Sequence, residues 1–468
     1  MPQISRLTLD ELQEKFTKEK TRLIEDFFTF LRFESIATDP TYKQEVLNCH
    51  EWVAQYLLKL GFNVEIWDTE NAPVIFATDL RAGPDQPTLL LYNHYDVQPV
   101  DPLNLWTTPP FEPTIRDEKI YARGASDNKG QCFYTLFALK TLVDHYGYLP
   151  INIKYVIEGE EESGSAGLFN LLEEKKDQLK AEHLLIIDSG IEKENEPAIT
   201  LGTRGICCLS VTLTGSKTDL HSGMCGGMAY NPNRALVEIL ASLKDDTGTV
   251  TIPSFYDEVA KMPPHERSEI DFNFDEEVFH HNFGFKPTGM ERGVSPLEAN
   301  WLRPTLEING ISGGYAGPGF KTVIPAKANA KISCRLVPYQ DPVRIAALVE
   351  SAILAKLPEG ISAQIEILPG RGPASRTNPQ STIAKVMAQS YTNVFNKPCK
   401  RILLGGSIPI AADLATVSGA EMLCIGVALP TDRIHAPDEH FSISALKKGF
   451  LILAHAIELL SHTQANTK

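Results

Sequence analysis

Seven ionisable side chains of this chain stand where a reactive centre could be built. His94 and Asp96 occur in TLLLYNHYDVQP, just past an apolar run, and Asp127 occurs in YARGASDNKG, in a turn before a helical stretch. Glu161 and Glu162 follow an apolar run in YVIEGEEESGS, Asp188 closes HLLIIDSG, and His435 in TDRIHAPDEH follows EMLCIGVALP. Their donor atoms are nitrogen and oxygen without thiolate, a set that suits zinc, manganese or cobalt better than a structural cysteine–zinc site. Two histidines and several carboxylates exceed the needs of one zinc ion and suit two ions bridged by a shared carboxylate. Such a pair polarises a carbonyl and makes hydroxide from water near neutral pH. A further carboxylate, not committed to metal, could shuttle the proton. Plainer roles stay open for each residue. A histidine after a strand can cap or pack, Asp127 and Asp188 can cap helices or turns, and the glutamate run can be a solvated loop. The coincidence of five such places at expected strand ends favours the metal centre.

Those strand ends come from the hydrophobic pattern. Helical spacing marks Leu7 to Phe33 and Tyr42 to Leu60. NVEIW, PVIFAT, TLLLYNH, INIKYVIEG and HLLIIDSG read as strands, and the stretches after RGASDNKG and from SAGLFNLLEEKK read as helices. Continuous apolar strands alternating with helices predict a buried, largely parallel sheet, whose sites form outside the strands' carboxyl ends. Near residue 206 the rhythm changes. GICCLSVTLTG, a helix in NPNRALVEILASL, PTLEINGI, KANAKISCRLVP, a helix in DPVRIAALVESAILAKL, and ISAQIEILPG follow the β-α-β-β-α-β order of a ferredoxin-like unit. A polar, proline-rich insertion covers roughly 244–300 of it. From about 376 the α/β rhythm resumes, ending in a helix from Ser442 to Ser461. The expected fold class is therefore α/β, a mostly parallel sheet with flanking helices. Its catalytic unit is split between 1–205 and 376–468, and 206–375 is the insert.

Bulk properties narrow the partners. At 468 residues two domains are the natural expectation. A formal charge of −15 argues against nucleic acid or anionic membrane as the main partner. No apolar run approaches the roughly 18 residues that span a bilayer, and MPQISRLTLDELQEKF shows no apolar leader segment. The eight cysteines are scattered without CxxC, as in a reduced, cytoplasmic protein. HExxH and GxGxxG are absent, ESGSAG is not the GxSxG of a nucleophile elbow, and GGYAGPGFKT misses phosphate-loop spacing by one residue.

Seven strings in order between residues 90 and 440, HYDVQP, GASDNKG, EGEEESGS, DLHSG, KTVIPAK, RLVP and GGSIP, resemble the di-metal peptidase and deacylase family. That family includes carboxypeptidase G, succinyl-diaminopimelate desuccinylase, aminoacylase and the cytosolic non-specific dipeptidases. HYDVQP, LWTTPPFEP and GGSIP are most similar to the dipeptidase branch. The resemblance implies one ion held by His94, Asp127 and Asp188 and a second held by Asp127, Glu162 and His435, with zinc the leading metal and manganese or cobalt as alternatives. It implies Asp96 behind His94, a cis peptide after Asp127, and Glu161 as general base. Alignment on SGS selects Glu161 within the glutamate run, and IHAPDEH offers His440 as a second candidate beside His435. His221 would stabilise an oxyanion, reaching across from the partner subunit in related dimers. Thr322 and Arg335 would contact substrate, and Gly406 and Ser407 would wall its C-terminal end. The implied activity is hydrolysis of dipeptides or short peptides. N-acyl-amino-acid deacylation and carboxypeptidase activity are the alternatives, and a homodimer through a lid-like insert is implied as well.

Overall fold

The computed structural model describes residues 5–368 and 370–463. The outermost residues of the expected split unit, 1–4 and 464–468, and Pro369 within ISAQIEILPG, lie outside them.

An eight-stranded sheet organises the larger part. Across it run Asn63–Trp67, Val74–Asp79, Asn152–Glu158, Thr88–His94, His183–Ile187, Glu421–Ile425, Ala198–Thr203 and Lys400–Leu404. Its centre is parallel: Asn152–Glu158, Thr88–His94, His183–Ile187 and Glu421–Ile425 pair side by side in one direction. Antiparallel pairs join the two strands at the amino-terminal edge and join Ala198–Thr203 to Glu421–Ile425. The sheet is mixed and mostly parallel. Strand residues alternate between two cores, as the pleat requires. Leu89, Leu91, Ile153 and Ile157 face the helices Leu9–Leu31, Lys129–Tyr146, Thr382–Phe395 and Ile443–Thr463; Leu90, Tyr92, Val156 and Ile186 face Ala166–Leu179 and Pro409–Ser418. With both faces covered, these strands have no polar side, which explains their continuous apolar runs.

The chain leaves this sheet at Thr203 and enters a second one at Gly205. The second sheet is antiparallel, in the order Thr305–Gly313, Lys327–Leu336, Gly205–Thr214, Ser362–Ile367, and its buried residues pack with those of Pro232–Ala241 and Pro342–Leu354 in a core of their own. Buried and part-exposed residues alternate strictly along Gly205–Thr214. This is the ferredoxin-like pattern.

Some elements had no signal in the expected pattern. Ala198–Thr203 is buried along its whole length, and its AITLGT is short with a glycine. A small sheet of Thr114–Arg116, Lys119–Tyr121 and His440–Ser442 uses three-residue strands. The 244–300 insertion contains the short helices Pro264–Arg267, Glu276–Phe283 and Pro296–Trp301. No helix among the described residues is long and apolar enough to cross a membrane.

Candidate active site

Three adjacent parallel strands deliver the first residues of the site at their carboxyl ends. His94 is the last residue of Thr88–His94, Asp188 follows His183–Ile187, and Glu161 and Glu162 lie in a 3₁₀ turn, Glu161–Ser163, just past Asn152–Glu158. Asp127 comes from the turn before Lys129–Tyr146, and its peptide bond to Asn128 is cis. His435 comes from the loop after Glu421–Ile425.

Asp127 stands between the two histidines. Its Oδ1 is 3.2 Å from His94 Nε2 and its Oδ2 is 3.0 Å from His435 Nε2. His94 Nε2 is also 3.7 Å from Asp188 Oδ1 and 4.0 Å from Glu161 Oε2, while His435 Nε2 is 3.3 Å from Glu162 Oε2. Two groups of potential ligand atoms result, His94 with Asp127 and Asp188, and Asp127 with Glu162 and His435, the atoms of each within 4.8 Å of one another. His440 turns elsewhere: its Nε2 lies 3.2 Å from Lys119 Nζ and its Nδ1 3.0 Å from the Asp438 carbonyl. Glu160 also faces away, its carboxylate accepting from Thr69 Oγ1, Ala72 N and Gly167 N.

Behind this cluster sits Asp96, fully buried. Its Oδ1 is 3.2 Å from His94 Nδ1, and its carboxylate accepts the backbone N–H groups of Glu161 at 3.3 Å and Glu162 at 3.0 Å. It therefore holds one ring and one loop together. Three polar residues that the pattern of acids and histidines did not single out complete the support. Asn128 Nδ2 donates to Asp188 Oδ1 at 2.7 Å, Asn93 links the Asn128 side chain to the Ile187 carbonyl, and Gln98 Nε2 donates to Glu162 Oε2 at 2.7 Å. An amide in an otherwise apolar strand, Asn93 in TLLLYNH, was the available signal.

The electrostatics show what the cluster lacks. Burial opposes charge on His94, yet hydrogen bonds from its ring to Asp127, Asp188 and Asp96 hold its pKa well above the ordinary imidazole value. Asp127 and Glu162 hold His435 up at about 10. Burial raises Glu161 well above the carboxylate range, with Asp188, Glu162 and Asp127 adding to it and His94 opposing. Asp188 and Glu162 are raised by burial too. Among the described residues no lysine or arginine pairs with Asp127, Glu161, Glu162 or Asp188. Glu162 Oε1 is buried without a hydrogen-bond partner. An orphaned carboxylate oxygen among nitrogen and oxygen donors, with no cationic side chain to balance them, fits divalent cations.

The expected substrate contacts fall into two places. His221, exposed, and Thr322 meet at a two-stranded ladder, where Ser222 N donates to the Thr322 carbonyl and Gly223 N to His221 Nδ1. Arg335, on Lys327–Leu336, donates from Nη1 to Ser407 Oγ at 2.8 Å, and the Gly406 carbonyl accepts from Arg204 N. Burial holds the Arg335 guanidinium below its ordinary value. Among the described residues neither place shares a hydrogen bond or ion pair with the carboxylate cluster.

Comparison with known proteins bears on this geometry. The profile of the family described as "Peptidase family M20/M25/M40" matches residues 90–459. The Cys-Gly metallodipeptidase of Schizosaccharomyces pombe is 28% identical, over 97% of this chain and 99% of its own. The Beta-Ala-His dipeptidase of Mus musculus is 30% identical over 87% of this chain and 86% of its own. The solved M20 metallo-carboxypeptidase Sso-CP2 of Sulfolobus solfataricus superposes with a TM-score of 0.86 at 32% identity, covering 94% of this chain and 99% of its own. With its motifs in order and its acids and imidazoles gathered at the carboxyl ends of the central strands, the chain belongs to the M20/M25/M40 peptidase family.

Proposed function

We propose that this peptidase is a metal-dependent dipeptidase using two divalent ions, zinc foremost with manganese or cobalt as alternatives. The observation that carries the reading is Asp127, one oxygen toward His94 and the other toward His435. His94, Asp127 and Asp188 would hold one ion and Asp127, Glu162 and His435 the other. When bound, such ions polarise the scissile carbonyl and acidify water.

The chain's own residues do the rest. Glu161 takes a proton from the attacking water and passes it to the leaving amine nitrogen. Its buried setting, which raises its affinity for that proton, suits the task. Asp96 fixes the His94 ring and the backbone that carries Glu161. His221 donates to the developing oxyanion. Arg335 grips the free carboxylate of the substrate bidentately, with Ser407 already bonded to its guanidinium, Gly406 beside it and Thr322 as a further contact. The split unit 1–205 and 376–468 is read as catalytic, and 206–375 as a lid that excludes water. A homodimer through 206–375 is supported by exposed Val237, Ile308 and Ile311 on that unit. Eight free cysteines, most of them buried, support a cytoplasmic setting.

The names of the two curated relatives favour dipeptides over the deacylase or carboxypeptidase reading. The test is dialysis against a chelator, then assay of dipeptides, longer peptides and acetyl-amino acids with and without Zn²⁺ or Mn²⁺. Metal-restored turnover of dipeptides is expected. Activity that survives complete metal removal, or a preference for acetyl-amino acids, overturns the reading.

A further inference from the structure

Asp127 and His435 lie 308 residues apart in sequence, and a buried ion pair, Arg123 with Glu439, helps to join their loops. Glu439, four residues beyond His435, is fully buried. Its Oε1 accepts from Ser126 N at 2.9 Å and Asp127 N at 3.0 Å. Its Oε2 accepts from Gly124 N at 2.9 Å and Arg123 Nη1 at 2.7 Å. Every donor lies in 123–127, so the carboxylate fills the inside of the turn that presents Asp127. Arg123 is equally buried. Its Nη2 donates to the Pro99 carbonyl at 2.9 Å and its guanidinium lies over the Trp106 ring at 5.3 Å. Pro99 belongs to the segment that also carries His94, Asp96 and Gln98. The pair thus touches three loops of the site and ligates nothing itself.

Cohesion alone is a weak reason for such a pair. Taking two charges out of water offsets most of their attraction, and apolar replacement of a buried ion pair is often neutral or stabilising. What apolar side chains cannot supply is an acceptor for three backbone N–H groups at a fixed place. We propose that Glu439, oriented by Arg123, is a positioning residue that sets the spacing of Asp127 against His435. Through that spacing it governs how tightly the group Asp127, Glu162 and His435 holds its cation. The inference rests on the metal-centre reading above.

The test uses full-length protein, stripped of metal and titrated with Mn²⁺ by calorimetry, with Tm and steady-state kinetics on the same samples. Glu439→Gln keeps the side chain's size but turns one acceptor into a donor facing backbone N–H. It should weaken Mn²⁺ binding by about 10–100-fold, the usual cost of losing a group that orients metal ligands. kcat at a fixed metal concentration should fall with it, and KM should change little, since the substrate contacts are elsewhere. A second variant separates positioning from cohesion. Arg123→Met with Glu439→Gln removes both buried charges and should recover the parent Tm while leaving Mn²⁺ affinity low. Parent-like Mn²⁺ binding by Glu439→Gln overturns the proposal, and so does recovery of affinity together with Tm in the double variant. A parent protein that takes up neither Mn²⁺ nor Zn²⁺ nor Co²⁺ overturns this inference and the metal-centre reading together.

Discussion

Replacing Asp96 by asparagine asks how much of the site's chemistry depends on a residue that touches neither substrate nor metal in the proposed reading. Asparagine has nearly the same shape, so the buried pocket stays filled and no cavity forms. What changes is acceptor capacity. Asp96 offers oxygens to three donors: His94 Nδ1 at 3.2 Å, Glu161 N at 3.3 Å and Glu162 N at 3.0 Å. The ring contact is partly insured, because the Asp96 backbone carbonyl also lies 3.1 Å from His94 Nδ1. Loss of ring orientation is therefore the smaller effect. The two loop N–H groups have no such substitute, and an amide NH₂ turned toward either one sets donor against donor. An unsatisfied buried donor costs about 1–3 kcal/mol. A loop shift that relieves this cost moves Glu161 and Glu162 away from His94 and His435.

If most of that cost is expressed in the transition state, kcat/KM falls by about 10–100-fold, since about 1.4 kcal/mol is a factor of ten. The assay is dipeptide hydrolysis at saturating metal, with metal content measured on the same preparation. kcat should carry the loss, because Arg335 and Ser407 do not touch Asp96. A rate within about twofold of the parent, with metal retained, would falsify the claim that this carboxylate holds the glutamate loop.

Other expectations follow from the same geometry. Glu161→Gln should lower kcat by at least about 10²-fold while metal content is kept, the low end for a general base; an unchanged rate means the proton shuttle is another group. Gly159→Ala places a Cβ 2.4 Å from the buried Tyr95 ring, so the loop bearing Glu161 must shift, with about 1–3 kcal/mol of overpacking and a lower Tm and kcat together. His455 titrates at about 4, below its ordinary 6.5, because of burial and then the Arg6 charge. Its neutral form is the folded one, so it carries no penalty above 6.5 and destabilises the fold as pH falls from 6.5 toward 4. His455→Gln, which keeps an acceptor for Asn393, should flatten Tm across that window in thermal melts, and a slope equal to the parent's refutes the assignment.

The legible parts of this fold were those with a strong period. Thr88–His94 and His183–Ile187 are apolar throughout because helices cover both faces, and their ends located His94 and Asp188. Gly205–Thr214 alternates because it is half buried, and that alternation exposed the second sheet. Ala198–Thr203 was illegible for the opposite reason: six residues with no alternation and a glycine at 202 carry no period to detect. Pro296–Trp301 is too short for periodicity, although its start, Ser295 with Glu298 three residues on, is a capping-box pattern. The support around the site was harder to read still. Asn93, Gln98 and Asn128 act through single amide contacts, which leave no spacing rule in a sequence.

The glutamate run is no solvated loop, since Glu158 and Glu160 are both buried. Each member of the glutamate run has a different destination. Glu158 accepts from Tyr92 OH and Ser165 Oγ, and burial pushes its pKa up to about 8, so near neutrality it is mostly uncharged. Glu160 is held by a hydroxyl and two backbone N–H groups. Only Glu161 and Glu162 are left to face His94 and His435. With Asp127 and Asp188 they make four carboxylates around two imidazoles, with no lysine or arginine in ion-pair reach among the described residues. Protons can neutralise such a set only by occupying the donors that make it useful. In the proposed reading two divalent ions bring four positive charges to those four carboxylates and leave both imidazoles neutral and free to ligate. The crowding is thus tolerable because Glu158 and Glu160 are satisfied by hydrogen bonds beneath the loop, which leaves Glu161 and Glu162 to face the cations of the proposed reading.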